Sequence, residues 1–310
     1  MLILDAHCDT LSEVLDKKID LFQNSGQLDL KRLYENKNSV QFFAVFIKPG
    51  HSAYALTEAL KLIDLLKQAA VQYPETMEIA LDTKDIRRIT SEGKVAAIIS
   101  IEGGDALSGE LSVLRMLHEL GVRALGLTWN YRNQIADGVL DDTGGGLTPF
   151  GKSVVSEMNR LRMLIDVSHI NKKGFWDVLE QSKNPIIASH SNAQTLCGHV
   201  RNLDDNQLLA LKENGGVTGM NFCPAFLRDD QQATIDDVIK HIEYIAGLIG
   251  IEHIGLGSDF DGIARTPTGL EGVQCLPDLI NRLFRLNYTK QQVEMIAGGN
   301  FMRVLQKVIG

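Results

Sequence analysis

The sequence predicts a (β/α)8 barrel, formed as one domain by residues 1–310. Three observations favour this fold. Short apolar runs alternate with amphipathic stretches of helical periodicity along the chain, as in βα units around a parallel sheet. Eight such runs are present, which is the strand number of the barrel. Five of them end in residues with metal-ligand side chains, and the functional residues of these barrels lie at the carboxyl ends of the strands.

The predicted elements are the strands and the helices that follow them. Apolar runs predict strands at residues 2–7, 40–47, 95–101, 123–128, 163–168, 185–189, 216–221 and 253–258. Helical periodicity predicts helices that include residues 56–71, 111–120, 152–161, 206–214, 235–249, 291–297 and the C-terminal segment 300–310. A doubly wound sheet is the competing fold, but it normally offers one crevice rather than ligands from five strand ends. No Pro-rich or Ser-rich linker divides the chain.

Composition and charge exclude several classes of partner. The chain has 310 residues and a formal net charge of -8 without a basic stripe, which argues against nucleic acid. Its four cysteines are widely spaced, as in a reduced intracellular protein. The chain reaches the acidic Asp5 after three apolar residues beyond Met1, and no apolar run approaches the roughly 18 residues of a membrane span. We therefore expect a soluble, cytoplasmic protein with no membrane partner.

Ligand-type side chains at the strand ends predict a centre for two metal ions. His7 and Asp9 are two residues apart, which puts both on one face at the end of the first strand. Glu102, His169 and His190 follow later strands. We expect the first pair to hold one ion and the two later histidines to hold the other, with Glu102 giving one oxygen to each. A donor set without cysteine favours zinc, with manganese, iron or cobalt as alternatives.

Asp259 follows the last predicted strand, in residues 257–262 (GSDFDG), where a turn can bring its carboxylate over the barrel mouth. This position suits proton transfer better than metal bridging, whereas Asp261 is expected to cap the turn. Each site residue taken singly has a structural alternative, as a core histidine bonded to the backbone or as a helix-capping carboxylate. Together they favour a metal centre, because polar groups at the tips of apolar runs are costly to bury without partners.

Six short motifs occur in order from one end of the chain to the other. They are residues 5–10 (DAHCDT), 102–104 (EGG), 166–169 (DVSH), 189–191 (SHS), 201–202 (RN) and 257–262 (GSDFDG). The series resembles that of the membrane dipeptidase (renal dipeptidase) family of zinc peptidases. This resemblance implies a (β/α)8 barrel related to the amidohydrolases, which hydrolyses dipeptides by attack of a hydroxide bridging two zinc ions.

The residues inferred from the strand ends correspond to the site of that family. The resemblance implies that five residues bind the metal ions: His7, Asp9, Glu102, His169 and His190. It also implies that Asp259 is the catalytic aspartate and that Arg201 binds the substrate's C-terminal carboxylate. Without the resemblance, a surface ion pair is the simpler interpretation of Arg201. The resemblance further implies small L,L- and L,D-dipeptides as substrates, and a homodimer.

Two features depart from the family pattern. Many members have a histidine after the fourth strand that helps to polarise the scissile carbonyl, and this chain has Trp129 there. Tryptophan cannot stabilise an oxyanion through a protonated ring, so we expect greater reliance on the metals or a different substrate range. We also expect neither the export signal nor the lipid anchor of the family's membrane-bound members, and no membrane attachment.

Two alternative functions stay open at this point. One is an amidohydrolase-type hydrolase of lactones, cyclic amides or phosphoesters, since fold alone does not set chemistry. The other is a metal-binding scaffold without catalysis, against which the retention of Asp259 argues. Residues 146–153 match the spacing of a phosphate-binding loop but do not follow a buried strand, so they predict a loop that enters a helix. Cys8 lies between two inward-facing residues and is expected to point the other way.

Overall fold

The computed structural model describes residues 1–48, 52–141 and 143–310. Within these ranges the strands form one parallel sheet. They are β1 (Ile3–Asp5), β2 (Ser39–Phe46), β3 (Met77–Ile79), β4 (Val95–Glu102), β5 (Val122–Gly126), β6 (Leu164–Asp166), β7 (Ile187–Ala188), β8 (Val217–Met220) and β9 (Ile254–Leu256).

Eight of the described strands close into a barrel. Their order around the ring is β1, β2, β4, β5, β6, β7, β8 and β9, and β9 pairs with β1. The remaining strand, β3, pairs with the start of β4, where Met77 is opposite Val95. The next strand, β5, joins β4 further along, from Ile99. Because all pairs are parallel, the carboxyl ends of the strands meet at one mouth, and the predicted (β/α)8 barrel is confirmed.

The eight predicted strands are all present in the described ranges, with bounds that differ by a few residues. At β7, only two residues of the predicted run 185–189 belong to the strand. The sequence prediction does not include β3. That strand has three residues, of which only one is buried, so it carries no period that distinguishes a strand from a loop.

Helices follow most of the strands and surround the ring. The α-helices in the described part of the chain are α1 (Thr10–Lys17), α2 (Leu30–Asn36), α3 (Ala55–Gln72), α4 (Thr83–Ser91), α5 (Leu111–Glu119), α6 (Pro149–Leu161), α7 (Lys172–Gln181), α8 (Asp205–Asn214), α9 (Pro224–Leu227), α10 (Ile235–Ile249), α11 (Leu276–Arg285), α12 (Lys290–Glu294) and α13 (Asn300–Val308). A π-helical turn, Met295–Gly299, joins α12 to α13 and takes up part of the predicted helix 291–297. Over the described ranges, no helix combines the length and apolar character needed to cross a membrane.

Polar side chains define where many of these helices begin. An N-cap side chain accepts a hydrogen bond from a backbone N–H of the first turn in α4, α6, α7, α8 and α12, from Asp82, Thr148, Asn171, Asp204 and Thr289 respectively. Each such bond satisfies a donor that the helix itself leaves free. The boundaries of these helices are therefore set locally by the sequence.

Alternation along the strands separates the inside of the barrel from its outside. Phe42 of β2 and Ile98 of β4 belong to one buried cluster, together with Phe301 of α13. Ile99, the next residue of β4, belongs to a larger cluster that packs with the surrounding helices. Because successive side chains of a strand point to opposite faces, the alternation from Ile98 carries Glu102 to the inner face, at the carboxyl end of β4.

Candidate active site

Six predicted site residues come together at the mouth of the barrel. Each lies at the carboxyl end of a strand or in the loop after it, and all six are buried, with exposed fractions between 1% and 8%: His7, Asp9, Glu102, His169, His190 and Asp259. They are up to 252 positions apart in the chain, from His7 to Asp259. The closed ring of parallel strands is what makes them neighbours.

The carboxylate of Glu102 faces histidines on two sides. Its Oε2 atom lies 3.4 Å from Nε2 of His7. Its Oε1 atom lies 2.7 Å from Nε2 of His169 and 3.7 Å from Nε2 of His190. One carboxylate oxygen is therefore directed to His7 and the other to His169 and His190. A carboxylate in this arrangement can bridge two cations.

Other pairs of candidate ligand atoms in the cluster lie 2.8 to 3.9 Å apart. His7 Nε2 lies 3.2 Å from Asp9 Oδ2 and 3.9 Å from Asp259 Oδ1. The rings of His7 and His190 are stacked with centroids 3.8 Å apart. His169 Nε2 lies 2.8 Å from His190 Nε2. Two imidazole nitrogens at this separation need a proton or a cation between them, because two lone pairs would repel each other.

Hydrogen bonds to the other ring nitrogens leave both Nε2 atoms free to bind a cation. His169 Nδ1 lies 2.7 Å from Asn130 Oδ1, an acceptor, so Nδ1 carries the proton. Ser189 donates its hydroxyl to Asp166 Oδ2 at 2.5 Å and lies 2.6 Å from His190 Nδ1. Since that hydroxyl proton is engaged, His190 Nδ1 donates to Ser189. Such outer contacts orient imidazoles that bind metal ions.

Burial keeps the later histidines neutral. Burial and the nearby guanidinium of Arg201 lower the pKa of His169 to about 3. Burial and the charge of His7 lower the pKa of His190 well below its usual range. For His7 itself, burial acts in the same direction, but Glu102 and Asp9 outweigh it and raise its pKa well above the usual value. Neutral imidazole is the form that binds a metal ion.

The crowded carboxylates call for a cation. Burial and the charge of Glu102 raise the pKa of Asp9 to about 7. Burial also raises the pKa of Asp259. Among the described residues, no hydrogen-bond partner reaches Oδ1 of Asp9, although this atom is buried. Buried carboxylates held this close together are costly unless positive charge offsets them, so the donor set fits divalent metal ions.

Backbone geometry at the site is specialised. His169 and Asp259 have φ angles of 68° and 64°, in the left-handed region that non-glycine residues rarely adopt. Gly262 lies so close to the acids that an added Cβ would be 2.2 Å from Asp9 Oδ2 and 2.4 Å from Asp259 Oδ1. Only glycine fits there without displacing a carboxylate. Strained backbone of this kind tends to cluster at functional sites.

Arg201, the predicted substrate-binding residue, lies in the loop after β7 with 4% of its surface exposed. Its Nη2 donates to the carbonyl of His190 at 3.4 Å, and its guanidinium lies 5.6 Å from the ring centre of Phe226. No carboxylate of a described residue lies within ion-pair distance of this guanidinium, and its buried Nε has no partner among those residues. Burial lowers the pKa of Arg201. A buried cation that has no direct ion pair with a described residue suits an anionic ligand.

A cavity of about 360 Å³ opens above the metal-ligand cluster. Glu102, His169 and Asp259 contribute to its floor, and Arg201 lines it as well. Trp129, which follows β5, also lines the cavity, and its ring centre lies 6.1 Å from that of His169. The cavity therefore joins the candidate metal ligands, the buried guanidinium and an aromatic surface in one space.

Sequence reasoning missed four residues that support the site. Asn130, Ser189 and Asp166 orient the histidines as described, and Asn221 donates its amide N–H to Asp259 Oδ2 at 2.9 Å. Asn221 directly follows β8, so it shows the same signal as the predicted ligands, a polar residue at a strand end. Amides and hydroxyls are weak metal ligands, which is why a search for ligand types passes over Asn130, Ser189 and Asn221. Asp166 is a carboxylate at the end of β6, and its role as a hydrogen-bond acceptor depends on contacts that the sequence does not show.

Two other sequence interpretations are confirmed. Cys8 is fully buried in the apolar core between the strands and the helices, and burial raises the pKa of its thiol well above the usual value. It is therefore no candidate nucleophile. The segment 146–153 leads into α6, where the hydroxyl of Thr148 accepts the N–H of Gly151 at 2.9 Å. This segment is a capped helix start rather than a phosphate-binding loop after a strand.

Comparison with known proteins agrees with this geometry. The family model for membrane dipeptidase, peptidase family M19, matches residues 1–309. The chain belongs to this family. It is 36% identical to the dipeptidase aclJ of Aspergillus oryzae over 91% of this chain and 70% of that protein. The family places the chain among the metal-dependent hydrolases, as the sequence predicts.

Solved structures of this M19 family share its fold over the full length. The crystal structure of the dipeptidase AC superposes with a TM-score of 0.94 at 29% identity, covering 100% of this chain and 99% of that one. A metallopeptidase from Rhodobacter sphaeroides, solved with a phosphinate mimic of the dipeptide L-Ala-D-Ala, superposes with a TM-score of 0.92 at 28% identity. That match covers 99% of both chains.

Proposed function

We propose that this M19 protein is a dipeptidase that uses two zinc ions to hydrolyse dipeptides with a free C-terminal carboxylate. The observation that carries the proposal is the cavity in which the buried guanidinium of Arg201, which forms no ion pair with a described residue, adjoins the cluster around Glu102. When bound, two zinc ions supply Lewis acidity for a carbonyl oxygen and lower the pKa of water. His7 and Asp9 would hold one ion and His169 and His190 the other.

Arg201 would select substrates by their length. A guanidinium can bind a carboxylate through two parallel hydrogen bonds, and a buried one discriminates strongly against ligands that leave it unpaired. Arg201 and Glu102 line the same cavity of about 360 Å³, so a carboxylate bound by Arg201 would have to be close to the scissile bond. Dipeptides meet that condition, whereas their C-terminal amides and longer peptides do not.

Asp259 would transfer the proton. Asn221 holds its Oδ2 atom at 2.9 Å, and its Oδ1 atom faces the cluster, 3.9 Å from His7 Nε2. From this position Asp259 would accept a proton from the attacking water and give it to the leaving amine. General acid–base catalysis of this kind contributes about 10²- to 10⁴-fold.

The stereochemical range of the substrate is also part of the proposal. The Rhodobacter sphaeroides relative was solved with a mimic of L-Ala-D-Ala, which has a D-residue at the C-terminal position. The superposition of the two chains supports acceptance of L,D-dipeptides here, beside the L,L-dipeptides that the proposal includes. Activity on both Ala-Ala diastereomers would be expected if the C-terminal side chain faces open space in the cavity.

The proposal is tested with zinc-loaded protein and a panel of L,L- and L,D-dipeptides beside their C-terminal amides, with and without chelator. We expect chelator-sensitive cleavage of the free dipeptides and little cleavage of the amides. The Arg201→Lys variant should lower kcat/KM for dipeptides by about 10- to 100-fold, because lysine keeps the charge but cannot form the paired hydrogen bonds. Arg228→Lys, at a half-buried arginine that is paired with Asp230 away from the cavity, is the matched control and should leave kcat/KM unchanged.

Two results would contradict this function. Absence of dipeptide turnover with two zinc ions bound would exclude the peptidase activity and direct the search to lactones, cyclic amides and phosphoesters. Equal cleavage of dipeptides and their amides would leave the hydrolase but remove the role given to Arg201.

A further inference from the structure

Three aromatic rings form a continuous group on one side of the barrel mouth. Phe46 is the last residue of β2, and Trp129 and Tyr131 follow β5. The ring centres of Phe46 and Trp129 are 5.3 Å apart, and those of Trp129 and Tyr131 are 5.5 Å apart. Phe46 and Trp129 are half-buried and line the active-site cavity. They present apolar surface to the space above the metal-ligand cluster.

The strand order places Phe46 across the mouth from Arg201, with Trp129 between them on one side of the ring. β2 and β5 flank β4 in the ring, whereas Arg201 and Phe226 follow β7 and β8. In a ring of eight, β7 is opposite β2, whereas only β6 separates β7 from β5. Residues from both sides of the mouth line the cavity above the Glu102 cluster. It therefore has a cationic end at Arg201 and an aromatic end at Phe46, on which Trp129 packs, with the Glu102 cluster beneath.

We propose that Trp129, supported by Phe46, binds the side chain of the substrate's N-terminal residue and makes the enzyme prefer large apolar residues at that position. The inference rests on the proposed function, because it takes Arg201 to hold the C-terminal carboxylate. With that end fixed and the scissile bond above the cluster, the N-terminal residue extends toward the aromatic end. Indole and phenyl faces stabilise an apolar side chain by excluding water from both surfaces.

The test compares selectivity at the two ends of the dipeptide. In the unmodified zinc-loaded enzyme, kcat/KM for Leu-Ala should exceed that for Gly-Ala by about 10- to 100-fold, the range expected for burying one leucine side chain. Trp129→Ala should bring this ratio close to one. Trp129→Phe should retain most of the preference. The ratio of Ala-Leu to Ala-Gly, which differs only at the C-terminal residue, should stay the same in all three proteins.

A binding readout that does not depend on turnover uses the fluorescence of Trp129. The chain has two tryptophans, and the other, Trp176, lies in α7 with 37% of its surface exposed and does not line the cavity. In a Trp176→Phe protein, which should retain full activity, emission comes from Trp129 alone. A phosphinate analogue of Leu-Ala should shift this emission, and the analogue of Gly-Ala should shift it much less.

The outcomes separate the two proposals. Cleavage of both dipeptides with the same Leu-Ala to Gly-Ala ratio before and after Trp129→Ala would overturn the role of Trp129 and leave the dipeptidase intact. A change in the Ala-Leu to Ala-Gly ratio instead would also overturn it, because the indole would then contact the C-terminal residue. Absence of any dipeptide cleavage by the unmodified enzyme would overturn the proposed function, and this inference with it.

Discussion

At the residue scale, Glu102 and Asp259 differ in how many of their carboxylate oxygens face the cluster. Glu102 directs one oxygen to His7 and the other to His169. Asp259 has one oxygen near His7, while Asn221 occupies the other. A carboxylate with one oxygen held by an amide has a fixed orientation and one atom free for proton exchange. This difference is the structural reason for giving Asp259 the role of proton carrier rather than bridge.

Asp259→Asn should therefore retain the metals and lose turnover. The asparagine carbonyl can replace the oxygen that accepts from Asn221, so the shape of the site is kept. The amide cannot accept a proton from water, and we expect kcat to fall by about 10²- to 10⁴-fold. Metal analysis and steady-state kinetics on the same preparation check both parts. Loss of zinc would instead indicate a ligand role, since the ligand atoms of His7, Asp9 and Asp259 lie within 4.8 Å of one another.

At the element scale, the π-helical turn between α12 and α13 sets how the last helix meets the first strand. Gly298 of this turn approaches β1 so closely that an added Cβ would lie 2.6 Å from Leu2 Cδ2 and 3.0 Å from Leu4 Cβ. Leu4 and Phe301 of α13 share the buried cluster inside the barrel. Because β1 leads directly to His7, this contact supports the strand that carries the first candidate metal ligands.

A pair of glycine substitutions in helical segments should have opposite effects. Gly298→Ala should destabilise the protein by about 1 to 3 kcal/mol, because the methyl group overlaps backbone and side-chain atoms of β1. Gly247→Ala is the matched control in α10, where an added Cβ would meet nothing within 4 Å. Alanine's higher helix propensity should stabilise the protein there by about 0.5 to 1 kcal/mol. Thermal unfolding of both variants checks the signs, and equal shifts would contradict the packing role of Gly298.

At the scale of the whole molecule, closing the barrel concentrates charge at one mouth. Asp9, Glu102 and Asp259 come from the ends of β1, β4 and β9, and all three are buried. Burial raises the pKa of Asp9 and of Asp259, and the charge of Glu102 raises both further. The closed ring therefore gathers acids that repel each other unless cations bind. We expect metal binding and the stability of the fold to be coupled for this reason.

Removal of metal should lower the thermal stability of the protein. Ions that bind only the folded state stabilise it by about 4 kcal/mol when their free concentration is a thousand times the dissociation constant. Dialysis against chelator should lower the unfolding midpoint, and two equivalents of zinc per chain should restore it. Calorimetry of the unmodified protein and of Asp259→Asn checks this, and both should respond. An unchanged midpoint would argue against cations as the partners of these acids.

Much of this organisation is encoded locally, so the sequence alone predicts it. The eight barrel strands are apolar runs, and the rule that function lies at their carboxyl ends selects His7, Glu102 and His190 without knowledge of any contact. Helix starts at capping residues such as Thr148 are local for the same reason. These features depend on residues that are close together in the chain, so the periodicity of the sequence predicts them.

Tertiary structure decided what depends on ring closure. β3 is visible only through its pairing with β4, and Asn221 acquires its role only because β8 lies beside β9. Phe46 meets Trp129 because β2 and β5 flank the same strand, although 83 positions separate the two residues in the chain. The absence of an ion pair between Arg201 and any described residue likewise emerges only when its surroundings are assembled. Contacts between distant residues follow from strand order and register, and no local pattern in the sequence contains that information.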